Sequence, residues 1–336
     1  MNYGPYRDRS RIFGATMGRY ILRRILQAIP ILFLLSIVMF GLIRLLPGGP
    51  DAVFLNPNLD EQGQANLRAS FGLNDPLPIQ YLKWLKNALT GNFGSSFATS
   101  QSVSTVLKDH FPLTLELFAT ALVVALIISI VVGTLSATRQ GTITDYILTA
   151  LSYVGIAMPI FVLGLFLQGI FGVSLHWLPT SGTATLGVSY NWFNGAWDHL
   201  LHLLLPMTAL AITFLARWSR YMRTSMIDVI KQDYMRTGRA KGVVPVPLLF
   251  RHALRNAIIP LITVVAIDFG AVAGGATITE GVFSWPGMGQ LFLSSLDKRD
   301  YPVLLATLLL SSIFVIVANL VADVLYAVTD PRIRYA

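Results

Sequence analysis

Long apolar runs, rather than alternation, organise this chain. Residues 25–43, 113–137, 146–171, 199–216, 257–279 and 303–328 hold at most one formal charge each. Each is about the length an α-helix needs to cross roughly 30 Å of hydrocarbon. Pro159 falls inside the third run and predicts a kink, tolerated where neighbouring groups re-satisfy the backbone. The pattern predicts an all-α membrane protein of six transmembrane helices.

The polar segments between the runs complete the outline. Residues 1–18 read as a polar, dispensable tail, 19–46 as the first membrane helix, and 47–112 as an external subdomain. Residues 113–336 read as a five-helix core carrying a basic loop at 217–256. The first run follows a basic stretch from Arg19 to Arg24. It is too long for a signal-peptide core and has no small-residue cleavage site, so it reads as an uncleaved helix with a cytoplasmic N-terminus. Arg44 at its far end can snorkel to the interface. Within 47–112, residues 79–89 are amphipathic and predict a helix, read equally as a cap over the bundle or as a docking surface. Residues 173–197, with Trp177, Trp192 and Trp197, read as an outer interfacial loop.

Charge tests this topology. Eighteen of the 25 Lys and Arg fall in the segments assigned inside, which supports both termini being cytoplasmic. The chain is 54% hydrophobic and 12% charged, against about 25% charged in soluble domains. The basic residues flank apolar spans, so the pI of 9.8 reads as orientation in a membrane and not as nucleic-acid binding. There is no cysteine, which excludes disulfides and thiolate chemistry. Neither a Walker A pattern nor HExxH occurs, so any ATP must be bound by another subunit. Asp198, His199 and His202 are too few for a metal site and read as a polar cluster at a helix start. No half of the chain repeats the other, as a self-contained two-fold transporter would.

The basic loop is the informative polar stretch. Between Arg217 and Asn256 nine Lys or Arg face only Asp228 and Asp233, a net +7 of the chain's +8. Helix formers run from about Met226 to Lys241, Gly242 occupies the position of a C′ glycine, and Pro245 and Pro247 block continuation. A second short helix from Leu248 would carry Arg251 and Arg255 on one face. The segment reads as a rigid handle for a cytoplasmic partner or, on charge alone, as a polybasic strip on anionic lipid.

Two acidic residues lie inside spans. Asp268 either lines a substrate path or forms a buried structural pair. Asp323 is expected to pair with a basic group at the cytoplasmic interface. Gly270 with Gly274, and Ala271 with Gly275, have the spacing of close helix packing.

The loop resembles the EAA loop of binding-protein-dependent ABC importer permeases. The family's small-residue triplet aligns with Arg236, Thr237 and Gly238, its glycine with Gly242, and its closing four positions with His252, Ala253, Leu254 and Arg255. Gly238 stands where alanine is usual, and Arg255 where proline is usual. The RAKG and RHALRN strings, GLIRLLPGGP, FGLNDPLPIQYLKW and the closing DPRIRY are similar to the B-type permeases of dipeptide/oligopeptide or nickel importers, over residues 17–336. Met17 is where that family's sequences commonly begin.

The resemblance implies a type I importer fold in a prokaryotic inner membrane and a non-catalytic subunit with no cofactor of its own. It implies as partners a second, C-type permease, two ATPase subunits that bind ATP and Mg, an external substrate-binding protein, a peptide substrate and membrane lipid. ATPase coupling would fall to Asp233, Tyr234, Arg236, Thr237, Gly238, Arg239, Ala240, Lys241, Gly242, Arg251 and His252, and Asp268 would belong to the substrate pathway. A secondary transporter without ATPase partners, and a membrane enzyme or scaffold, are the competing classes.

Overall fold

The computed structural model describes residues 9–45, 74–188 and 190–329. Helix α1 (Arg9–Leu45) begins inside the stretch read as a polar tail and continues without interruption into the first span. Residues 1–8 and 46–73 lie outside the described residues, and with them most of the external subdomain. Helix α2 (Leu77–Leu89) is the amphipathic element expected there. It lies across the C-terminal end of α1. The Tyr81 and Ser36 hydroxyls are 2.8 Å apart, Arg44 donates to Gln80, and Tyr81 and Trp84 pack on Phe40.

Helix α3 (Val103–Thr138) is the second span, and it extends nearly three turns beyond the apolar run at its N-terminal end. The third span is two helices, α4 (Ile143–Ala157) and α5 (Ile160–Leu167), the latter continuing through a π-helical turn at Gln168–Ser174. The halves meet at 109°, a break rather than the expected kink. Met158 is extended (φ −85°, ψ 121°) because the ring of Pro159 disfavours the helical region in the residue before it.

Helix α6 (Trp192–Ile230) corrects two boundaries. Asn191 caps it, accepting from the Asn194 N–H at 2.9 Å, so the helix starts within the segment read as an outer loop. At its other end it runs past Arg217, Arg220 and Arg223, which belong to a rigid helix and not to a loop. After the short α7 (Asp233–Ala240) and a turn, Pro245–Pro247 and a π-helical stretch at Leu248–Ala253 lead directly into α8 (Leu254–Phe283). The expected second short helix is therefore the first turn of the fifth span. The segment after α8 contains a further helix, α9 (Met288–Asp297), and α10 (Tyr301–Thr329) is the last span. Among the described residues five helices are long and apolar enough to cross a membrane, and six spans result when the bent pair is counted as one.

The bundle centres on α3 against α6. A Cβ on Gly133 would lie 2.5 Å from the Met222 Cβ and 2.7 Å from the Ser219 carbonyl oxygen, so the two backbones touch where only glycine fits. Helix α4 joins them through Ser152 and Ser219, whose hydroxyls are 3.0 Å apart. At the end of the bundle away from the basic segment, fully buried Glu280 accepts from the Thr114 hydroxyl (2.7 Å) and from the Gly289 and Gln290 N–H groups (2.6 and 3.1 Å). It thereby caps α9 with a negative charge at the positive end of the helix. Buried Asp300 accepts from Ser96 and from the Phe97 and Ala98 N–H groups, tying the segment after α2 to the start of α10. The side chains of residues 269–275, which include the predicted small-residue pairs, lie outside the described residues.

Candidate functional site

The basic segment folds as a short helix held on one side only. At Gln232 the backbone is extended (φ −66°, ψ 151°), which ends α6 and re-aims the chain. Helix α7 then closes as the glycine predicted. Gly242 has φ +75°, its N–H donates to the Arg239 carbonyl (3.0 Å), and the Val243 N–H donates to Gly238 (3.1 Å). This pair of bonds is a Schellman motif. Ala240 is the last helical residue and Lys241 the C-cap, one position short of the end read from the sequence, and the helix is a separate eight-residue element that does not start near Met226.

Met235 anchors α7. It is 2% exposed and joins a cluster with Met222, Met226, Ala137, Leu248 and Ala253. Gly238 lies beside Leu248, and the Tyr234 hydroxyl accepts from Asn256 Nδ2 at 3.0 Å. Asp233, Arg236, Thr237, Ala240, Lys241 and Gly242 are exposed, and so is Arg239, although it lies one turn from Met235 and lines a pocket with it. Arg236 and Asp233 approach to 3.8 Å as a solvated pair of little energetic weight. Arg251 and His252, also exposed, lie on the π-helical turn, where the His252 carbonyl accepts from Asn256. The site is thus a basic helix whose attached side is apolar with Arg239 at its edge, and whose free side carries Arg236 and Lys241. Sequence reasoning passed over Met235, although an amphipathic reading of residues 231–242 isolates it as their one large aliphatic side chain.

A second device braces the base of α6. Asp145, at the start of α4, receives Arg223 through two bonds of 2.7 Å, Nε to Oδ1 and Nη2 to Oδ2. Ser136 of α3 donates to the same carboxylate at 2.5 Å and the Gly141 N–H at 3.0 Å. Three helices therefore meet on one buried carboxylate whose charge is fully compensated. No sequence signal distinguished this pair from the other charges.

Asp268 is not brought to α7. It lies buried, accepting from Arg217 Nη1 and Trp218 Nε1, each at 2.8 Å. Half of the Arg217 side chain remains exposed. Asp323 pairs with Arg24 of α1 at 3.2 Å, the basic partner expected for it. At the start of α6, Asp198 accepts from the Thr185 N–H and hydroxyl (both 2.7 Å), and His199 bridges Glu116 (2.9 Å) and the Thr183 carbonyl (3.0 Å). These side chains fasten the outer segment to the bundle.

A polytopic helical bundle that presents a pinned basic helix at one end is the architecture of a multi-pass membrane permease. Residues 129–335 match the family described as binding-protein-dependent transport system inner membrane component, and residues 17–118 match its N-terminal membrane component. The chain belongs to that family. It is 42% identical over 320 residues to the oligopeptide transport system permease protein AppB of Bacillus subtilis, covering 95% of this chain and 100% of the relative. It is 39% identical over 319 residues to a probable peptide ABC transporter permease of Sinorhizobium fredii, and 38% identical over 319 to the glutathione transport system permease protein GsiC of Salmonella typhimurium. Each of these matches covers 95% of this chain and 100% of the relative.

Proposed function

We propose that this chain is one half of the translocation pathway of an ATP-driven peptide importer and that α7 transmits the movement of an ATPase subunit to the bundle. The observation that carries the reading is the one-sided attachment of α7. Arg236 and Lys241 on its free side and exposed Arg239 at the edge of its attached side are open to a partner, while Met235 and Leu248 link it to α6 and α8 through apolar packing. Load applied to α7 passes into both helices. The relatives' names supply the substrate class, peptides.

The partners of this reading are a second permease, two ATPase subunits that hold ATP and Mg, and an external binding protein. The chain itself performs no chemistry and holds no cofactor. Both termini and α7 face the cytoplasm, a disposition supported by the basic excess in those segments. Asp268 belongs to the pathway through Arg217, whose exposed guanidinium it holds in place.

The test is to purify the chain in mild detergent from its native membrane and identify what accompanies it. The expected result is a second permease and an ATPase, the ATPase being lost from the R236E/R239E variant while that variant stays in the membrane. Recovery of the chain alone, with uptake driven by an ion gradient, overturns the reading in favour of a secondary transporter.

A further inference from the structure

Helix α6 turns one polar face away from the helices packed on it. Ser219, Met222 and Arg223 meet α3 and α4, and Trp218 meets α8. Arg217, Arg220 and Thr224, at i, i+3 and i+7, form an exposed stripe. The stripe runs between α4 and α8. Arg220 stacks on the Tyr153 ring of α4 at 4.5 Å, and Arg217 reaches Asp268 of α8. Arg217 and Asp268 lie about 20 Å along α6 and α8 from the ends nearest α7. A cation exposed to hydrocarbon at that depth is costly, so the stripe faces water.

We propose that Arg217 and Arg220 hold the C-terminal carboxylate of the peptide in transit, an inference that rests on the peptide-importer reading above. Asp268 neutralises Arg217 but engages only Nη1, so Nε and Nη2 have no partner among the described residues. Arg220 has no carboxylate partner among them. The stripe therefore carries one uncompensated positive charge and a set of directed N–H donors. Residues one turn apart have Cβ atoms about 5–6 Å apart, close enough for two guanidinium groups to converge on one carboxylate. Asp268 and Tyr153 are positioning residues: they fix the two guanidinium groups before the ligand arrives, which lowers the ordering cost of binding. No free carboxylate is within reach to receive the peptide's ammonium group. Asp145 is taken by Arg223, Glu280 is buried at the far end of α8, and Asp228 lies about 12 Å along α6 from Arg220. The stripe thus selects the carboxylate end. With a net charge of one in a wet site it holds that end weakly enough to release it.

The chain has no cysteine, so Thr224→Cys gives it one thiol, a turn from Arg220. The complex with its partner subunits, free of nucleotide and at low ionic strength, is treated with an anionic or a cationic methanethiosulfonate, and modification of this chain is followed by mass spectrometry. The anionic reagent is expected to react faster. R220Q, which breaks no ion pair, should slow the anionic reagent and speed the cationic one, each about threefold, the effect of one unit charge about 7 Å away in water. R220K should keep the parent rates. Trialanine is expected to slow the labelling and trialanine amide to leave it unchanged, and R220Q should abolish that difference. Equal protection by acid and amide, or no reaction with either reagent, overturns the proposal. Protection by phosphatidylglycerol in place of trialanine would assign the stripe to a lipid headgroup and also overturn it. Labelling needs neither uptake nor ATP hydrolysis. Its failure in a complex that contains the ATPase and the second permease strikes this inference alone, whereas recovery of the chain without them strikes the peptide-importer reading.

Discussion

Gly238 of α7 and Leu248 of the turn before α8 meet so closely that a Cβ on the glycine would lie 2.7 Å from Leu248 Cδ1. The contact joins the exposed helix to the fifth span. It also explains how a glycine serves where the resembling loops carry alanine, since the crowding atom is the far end of a flexible side chain. Gly238→Ala is expected to be accommodated by a rotation of Leu248, and Gly238→Val to displace α7. Uptake by membranes carrying each variant, measured at equal protein level, separates the two.

Gly242 makes a different demand. No atom lies within 4 Å of a Cβ added there, but its φ of +75° is left-handed. A β-branched residue at this position costs about 1–2 kcal/mol or more and frays the Schellman turn. Gly242→Val should therefore leave the chain in the membrane while abolishing substrate-stimulated ATP hydrolysis and uptake, and Gly242→Asn should retain most of both. Normal uptake by Gly242→Val would remove the loop from the mechanism.

Met235→Ala removes the apolar anchor of α7. Truncation of a buried Met costs about 2–5 kcal/mol, and here the loss falls on the attachment of one short helix. Limited proteolysis near Arg236 should accelerate while the melting of the bundle, followed by circular dichroism, shifts little. A large fall in melting temperature without local cleavage would instead mean that α7 is integral to the core.

Asp145 and Arg223 form a bidentate pair with the carboxylate buried and the guanidinium mostly so. Asp145→Ala leaves the arginine without its partner and should destabilise by about 3–5 kcal/mol, whereas D145L/R223M should recover much of that. Thermal unfolding in detergent measures both. A double variant no more stable than the single one refutes the burial argument.

Glu280 has three donors converging on its carboxylate, and a Cβ on neighbouring Gly287 would lie 2.4 Å from that group. Glu280→Gln replaces an acceptor by a donor facing other donors and should cost about 1–3 kcal/mol. Hydrogen exchange should rise first at the N–H groups of Gly289 and Gln290.

The chain determined by itself what is local and one-dimensional. Six spans follow from run length, the basic end from charge count, and the end of α7 from Gly242, because each depends on neighbours a few residues away. Tertiary structure decided what depends on distant partners. The 109° bend at Met158 needed α6 and α8 to pack against its two halves. Helix α6 continued through Arg217 and Arg223 because Asp268 and Asp145, 51 and 78 residues away, neutralise those charges. The same holds for Glu280, one residue beyond the fifth apolar run, which packing made the cap of α9. Charge and periodicity report whether a residue tolerates water or lipid. Which group compensates a buried charge is set by where the bundle brings remote helices together.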